Sequence, residues 1–267
     1  MARRRPRDGN MPLGEHLAEL QRRFVVSLIA VAVAAVAGWF LSEYILGALR
    51  EPLEIVMHTS GRQTQINYQD ISGPFNVRMH IAMVTGIVLA SPVLLWEIWG
   101  FLVPGLKRKE KIGALAFVSI GVPLFLTGCT FGWFALPNLV SFFTSFAGEN
   151  DTQLVSADIY IRFIMYLMLF MGIGFVLPLL LVLLNLVGVL SGKAIFKGWR
   201  VAIVVALIFA AFITPPTDIV SMFLLSTPML ALYLLAGLFA LWNDRRVARR
   251  NAEFLDDDSL LDDESHV

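Results

Sequence analysis

Apolar residues in this chain gather into runs longer than the core helices of a soluble domain require, and short charged stretches separate them. Six such segments stand out, at about residues 24–44, 76–103, 113–136, 161–188, 199–214 and 219–242. Each is expected to be a helix, because a backbone inside a bilayer must satisfy its own hydrogen bonds. The fifth lies near the lower length limit for a span, and only "TPPTD" parts it from the sixth. Just ahead of the first run stands "MPLGEHLAELQRRF". Leu13, Leu17, Leu20 and Phe24 recur there at helical spacing, while Glu15, Glu19 and Arg22 lie off that stripe and Glu19 and Arg23 form an i,i+4 pair. The pattern predicts an amphipathic helix lying at the interface and running into the first span. Paired arginines, a phenylalanine and an apolar run also give this junction the look of a cleavable leader. The run from Phe24 to about Leu41 exceeds a leader's apolar core, and further spans follow, so it reads as a retained span.

Composition agrees: of 267 residues, 57% are apolar and only 16% charged, which marks a helical multi-span membrane protein. The formal net charge of zero hides a sorting of charges along the chain. With the N-terminus inside, inner segments hold seventeen of the twenty-one Lys and Arg residues, and outer segments keep only Arg50, Arg62, Arg78 and Arg162. Both termini are therefore expected in the cytoplasm. The expected layout is a cytoplasmic amphipathic segment over 1–23, a six-span membrane domain over 24–242 and an acidic, unstructured cytoplasmic tail over 243–267. The long outer connections, 45–75 and 137–160, have room for caps of short helix.

No span carries an ionisable group clearly at its midpoint; the nearest are Glu43, Arg162 and Glu97. With no internal repeat either, a small secondary transporter lacks its usual signs. Cys129 is the single cysteine, and His16, His58, His80 and His266 are scattered, so neither a disulfide framework nor a metal site is expected. There is no nucleophile elbow and no nucleotide loop, hence no enzyme and no cofactor. Two cytoplasmic acids are harder to place: Glu19, and Glu110, the only acid among four bases in "GLKRKEKIG". In one reading Glu19 pairs with Arg23 and Glu110 with Lys107 or Arg108, as exposed pairs worth about 0.2–1 kcal/mol. In the other, both carboxylates face one cationic ligand, and guanidinium groups would suit them best. A passive membrane scaffold would need neither acid.

At these residues the chain resembles a family. "MPLGEHLAELQRR", "ASPVLLWEIWGFLVPGLKRKEK", "FVLPLLLVLLNLVG" and "FITPPTDIVSMFLLSTPM", in this order, resemble the N-terminal signature, the second span with the first inner loop, the fourth span and the fifth-to-sixth turn of TatC, the multi-span receptor subunit of the twin-arginine protein translocase. The resemblance covers about residues 11–242. It implies an all-α integral membrane fold of six transmembrane helices in a tilted, concave, glove-like bundle with short final spans. It implies a prokaryotic cytoplasmic membrane and export of folded cargo driven by the proton-motive force. Its implied partners are twin-arginine signal peptides, single-span TatA-type and TatB-type subunits, further copies of itself and the bilayer, with no nucleic acid. Carried over by motif, Glu19 and Glu110 would bind the signal peptide, with Phe101 and Leu20 in the same patch; Pro52 and Asp218 match outer functional positions.

Three positions depart from the family pattern. Gln21 replaces a frequent arginine. Val176 stands where many members carry an acid, which puts the proposed polar contact with partner helices in question. Glu97 stands where some carry glutamine, and it is expected either to hold a signal peptide or polar partner-helix residue or to snorkel to the interface. Of the smaller features, Pro92, Pro123 and Pro178 are expected to kink spans. Trp96, Trp99, Trp133, Trp199 and Trp242 read as an interfacial belt, and Cys129 as a packing residue.

Overall fold

Where no water reaches, the chain must close its backbone hydrogen bonds within each segment, and helices dominate accordingly. The computed structural model describes residues 13–60, 64–102, 108–145, 153–213 and 219–264. In order these form α1 (Leu13–Ser60), β1 (Thr64–Asn67), α2 (Gly73–Leu102), α3 (Arg108–Ser145), β2 (Gln153–Ser156), α4 (Ala157–Leu186), α5 (Gly192–Lys197), α6 (Trp199–Ile213) and α7 (Ile219–Glu264). Among the described residues five helices, α1 to α4 and α7, are long and apolar enough to cross a membrane. The apolar α6 has 15 residues, a rise of about 22 Å, so its length alone does not make it a sixth.

Three details bear on the expected layout. The amphipathic segment and the first span are one unbroken helix, since no glycine or proline interrupts residues 15–37. The outer connections contribute no short helices among the described residues. Instead β1 and β2 pair in parallel, Thr64 opposite Gln153 through Asn67 opposite Ser156. Each strand leads into a helix, α2 or α4, which gives the two the same direction. The acidic segment expected to be unstructured is drawn into α7 as far as Glu264, in a stretch with no glycine or proline after Gly237.

The chain forms two compact units, residues 1–172 and 173–267. In the first, α1 and α2 are antiparallel and meet through small residues. A β-carbon added at Gly38 would stand 2.6 Å from the Ala82 carbonyl oxygen, and one at Gly86 would stand 2.7 Å from the Ala35 nitrogen. α3 meets the first half of α4 the same way, with Gly128 and Gly132 against Met168, Met171 and Gly172. Around these seams Val77, Ile81, Phe117, Leu136, Ile164 and Leu167 are fully buried. By contrast Leu28, Val33, Val36 and Phe40 of α1 are exposed, as side chains that face lipid must be. Trp99 departs from the expected belt: it is buried, with its ring 5.7 Å from that of Phe117.

In the second unit, Asp244 of α7 ties the α4–α5 turn in place. It accepts hydrogen bonds from the Asn185 side-chain amide and the Gly192 backbone N–H, both at 2.7 Å. Asn185 is buried and also donates to the Leu190 carbonyl. Gly188 turns the chain with φ +82°, a conformation open to glycine at little strain. Gly192 lets α5 reach the α7 backbone, because a β-carbon there would stand 2.6 Å from the Ala240 carbonyl carbon.

Gly86→Val is expected to destabilise the first unit by about 1–3 kcal/mol through overpacking against the Ala35 backbone. Gly14→Ala serves as the control, since that position meets nothing within 4 Å. Thermal melts in detergent distinguish the two. Asp244→Ala is expected to destabilise the second unit by about 1–3 kcal/mol, because it strands two donors.

Candidate functional site

The antiparallel seam carries α1 and α2 past each other in fixed register. Moving down α1 and up α2, Glu43 meets Arg78, Gly38 meets Ala82, Ala35 meets Gly86, Arg23 meets Glu97 and His16 meets Phe101. The helix ends that hold Arg23 and Glu97 carry most of the sequence-predicted site.

Arg23 lies between two carboxylates. Its Nε and Nη2 donate to Glu19 Oε1 at 3.1 and 2.7 Å, and its Nη1 donates to Glu97 Oε2 at 2.9 Å. The three side chains are partly shielded, with 21% of Arg23, 24% of Glu19 and 17% of Glu97 exposed. Their charges leave a net excess of one negative. Gly100, one turn beyond Glu97, makes room for the guanidinium, because a β-carbon there would overlap it. Beside the cluster the His16 and Phe101 rings stack at 4.6 Å with 21° between their planes. Leu20 points outward with Leu17 and Phe24, forming an exposed apolar strip along α1. Behind the cluster Trp99 is buried, and its Nε1 has no partner among the described residues.

The structure thus brings Glu19, Glu97 and Phe101 together around Arg23, with Leu20 on the outer edge. The Glu97 carboxylate turns to Arg23. The Glu110 backbone stands in the first turn of α3, where the helix dipole favours an acid, but its side chain lies outside the described residues. The Pro52 backbone lies within α1 with its side chain likewise outside them, and Asp218 is outside them altogether. Sequence reasoning missed His16, Gly100 and the Arg23–Glu97 bridge. A glycine beside Trp99 and Phe101 near a helix end was the available signal for a close approach.

On the segments assigned to the outer side the ion pairs are more exposed. Arg78 meets Glu43 at 3.2 Å, Arg162 meets Asp158 at 2.8 Å, and Arg50 donates to the Tyr68 hydroxyl at 3.4 Å. These are three of the four arginines assigned to the outer side, and each has a local partner. On the opposite assignment, Arg200 and Arg246 lie 5.6 Å from the ring centres of Trp199 and Trp242, which are half exposed. The Glu19–Arg23–Glu97 set holds a planar cation, the Arg23 guanidinium, between two partly desolvated carboxylates.

The chain is similar to known proteins of one family. The family profile described as Sec-independent protein translocase protein (TatC) matches residues 15–228. The Sec-independent protein translocase protein TatC of Xylanimonas cellulosilytica is 39% identical over 242 residues, covering 91% of this chain and 88% of that protein. The TatC of Rothia mucilaginosa is 32% identical over 247 residues, covering 92% and 84%. A crystal structure of the twin-arginine translocase receptor TatC superposes with a TM-score of 0.72 at 27% identity, covering 84% of this chain and 97% of that one.

Phe101→Ala is expected to loosen the first turns of α1 by removing the His16 stack. Hydrogen exchange of amides 14–20 should accelerate roughly two- to tenfold, the effect of losing one aromatic pair.

Proposed function

The chain is a member of the TatC family of Sec-independent protein translocase proteins, and from that premise we propose that its cytoplasmic face binds the paired arginines of signal peptides on folded cargo and nucleates the export complex. Membership makes it a multi-pass membrane subunit of a translocase, a transport component and not an enzyme. The observation that carries the finer reading is the partly shielded, acid-rich Glu19–Arg23–Glu97 cluster beside the His16–Phe101 stack. It lies at helix ends flanked by basic residues, where a lone negative excess has no use for the lipid.

In this reading Glu19 takes one signal arginine. Glu110, in the first turn of α3, takes the other. Leu17, Leu20 and Phe24 offer an apolar strip to the segment that follows the arginines in a signal peptide. Each charge-assisted bond in such a partly shielded site contributes about 1.5–3 kcal/mol. TatA-type and TatB-type single-span subunits, with further copies of this chain, complete the complex, and the proton-motive force drives it. Val176 is buried and apolar, so α4 gives those partners no carboxylate at that position. Pro52 and Asp218 act on the outer side. α6 counts as a crossing, which makes six spans and places both termini in the cytoplasm of a prokaryotic cell.

Binding of Arg-Arg and Lys-Lys signal peptides to the protein in lipid discs tests the site. The Arg-Arg peptide is expected to bind about tenfold tighter or more, with Glu19→Gln and Glu110→Gln each erasing the preference. Equal binding of both peptides to the wild type, repeated with the partner subunits present, sinks the reading. Topology is tested with a membrane-impermeant maleimide on intact cells. Asp70→Cys is expected to label and Arg249→Cys to stay protected until the cells are opened, with buried Cys129 silent in both.

A further inference from the structure

Glu19, the acid assigned above to a signal arginine, already holds a guanidinium from its own helix. Resting on that reading, we propose that Arg23 is a resident stand-in for the ligand's arginine, and that Glu97 retains Arg23 while the ligand takes its place on Glu19.

The geometry has the parts such an exchange needs. Arg23 engages Glu19 with one edge, through Nε and Nη2, and Glu97 with its remaining nitrogen, Nη1. The two contacts are therefore separable: the edge can leave Glu19 while Nη1 stays on Glu97. Glu19 uses a single oxygen, Oε1, for both bonds, and among the described residues its Oε2 accepts none; the same holds for Oε1 of Glu97. Two carboxylates around one guanidinium leave a negative excess and free acceptor capacity, so the cluster has charge and lone pairs for a second guanidinium.

Glu97 is what makes the exchange accessible. Arg23 is 21% exposed and sits in the space opened by Gly100. Pulled from Glu19 without Glu97, it would be a partly buried cation with no carboxylate, and leaving a charge unpaired costs far more than a swap of partners. With Glu97 in place, the Glu19–Arg23 pair is replaced by a Glu19–ligand pair and the Arg23–Glu97 pair persists. The consequence is a threshold: the resident arginine lowers the apparent affinity for any competing cation by the fraction of time it occupies Glu19. Isolated basic residues in cytoplasmic proteins are thereby held off, and a paired-arginine ligand with a second acceptor at Glu110 overcomes the resident.

Arg-Arg signal-peptide binding to the full chain in lipid discs tests this with four variants: Arg23→Lys, Arg23→Gln, Glu97→Gln and the double Arg23→Gln/Glu97→Gln. Arg23→Lys keeps the charge but loses the edge-on pair, and is expected to tighten binding about tenfold, one net charge-assisted bond. Glu97→Gln is expected to weaken binding about tenfold in the wild type and to change it less than twofold when Arg23 is already Gln, because Glu97 acts through Arg23. Wild-type affinity in Arg23→Lys overturns the stand-in. Equal weakening by Glu97→Gln in both backgrounds overturns the hand-over, because Glu97 then meets the peptide itself. Should the Arg23 variants fail to fold, Glu97→Gln decides alone, since it leaves the Glu19–Arg23 pair whole, and unchanged binding there refutes the exchange. Indifference of wild-type binding to Glu19→Gln removes the receptor reading and the exchange with it, whereas a Glu19 effect without the Arg23 and Glu97 effects removes only the exchange.

Discussion

Helices inside a bilayer gain little by burying leucine against leucine, because lipid tails are as apolar as the side chains. What holds them together is close contact, and in the first unit that contact is the seam of Ala35 and Gly38 on α1 against Ala82 and Gly86 on α2. A β-carbon at either glycine would press into the opposite backbone, so the seam permits one register. From Gly38 to Arg23 and from Ala82 to Glu97 is fifteen residues in each direction, a rise of about 22 Å. Two antiparallel helices locked at the seam must therefore present Arg23 to Glu97 at one end and Glu43 to Arg78 at the other. The electrostatics of the site follow from packing well away from it.

The two ends use the same chemistry with different results. Glu43 is 81% exposed and its pair with Arg78 is 3.2 Å long, so water screens it and it contributes little. Glu97 is 17% exposed and sits under the first turns of α1, where water is partly excluded and each hydrogen bond to a charge carries more weight. The same exclusion makes an unbalanced set of charges costly to keep. An acid-rich cluster of this kind gains from a further cation.

The second unit solves a different problem. α6 is short, and the α4–α5 turn approaches α7 closely enough that Gly192 has no room for a side chain. Asp244 accepts from the Gly192 N–H and takes the second bond of the Asn185 amide, whose other bond goes to the Leu190 carbonyl. A carboxylate in "WNDRRVARR", just past the sixth apolar run, thus has a structural task.

What the sequence by itself determined is what depends on neighbours along the chain. Long apolar runs mark helices because the bilayer forbids open backbone, and the sorting of Lys and Arg marks sides because charge acts on each loop separately. The Glu19–Arg23 pair was legible for the same reason, being one turn of helix apart. The four-residue strands were not, since four residues carry no usable periodicity and their pairing joins positions 64–67 to 153–156. α7 continues through the acidic stretch as far as Glu264, with no glycine or proline after Gly237 to stop it. Small residues spaced by four, Ala82 with Gly86 and Gly128 with Gly132, stood in the sequence as signs of close packing, but not of which helix they would meet. Only the tertiary structure decided that Arg23 serves two acids 78 residues apart, Glu19 and Glu97. The reason is physical: local spacing sets which side chains share a helix face, and the contact between helices sets what that face meets.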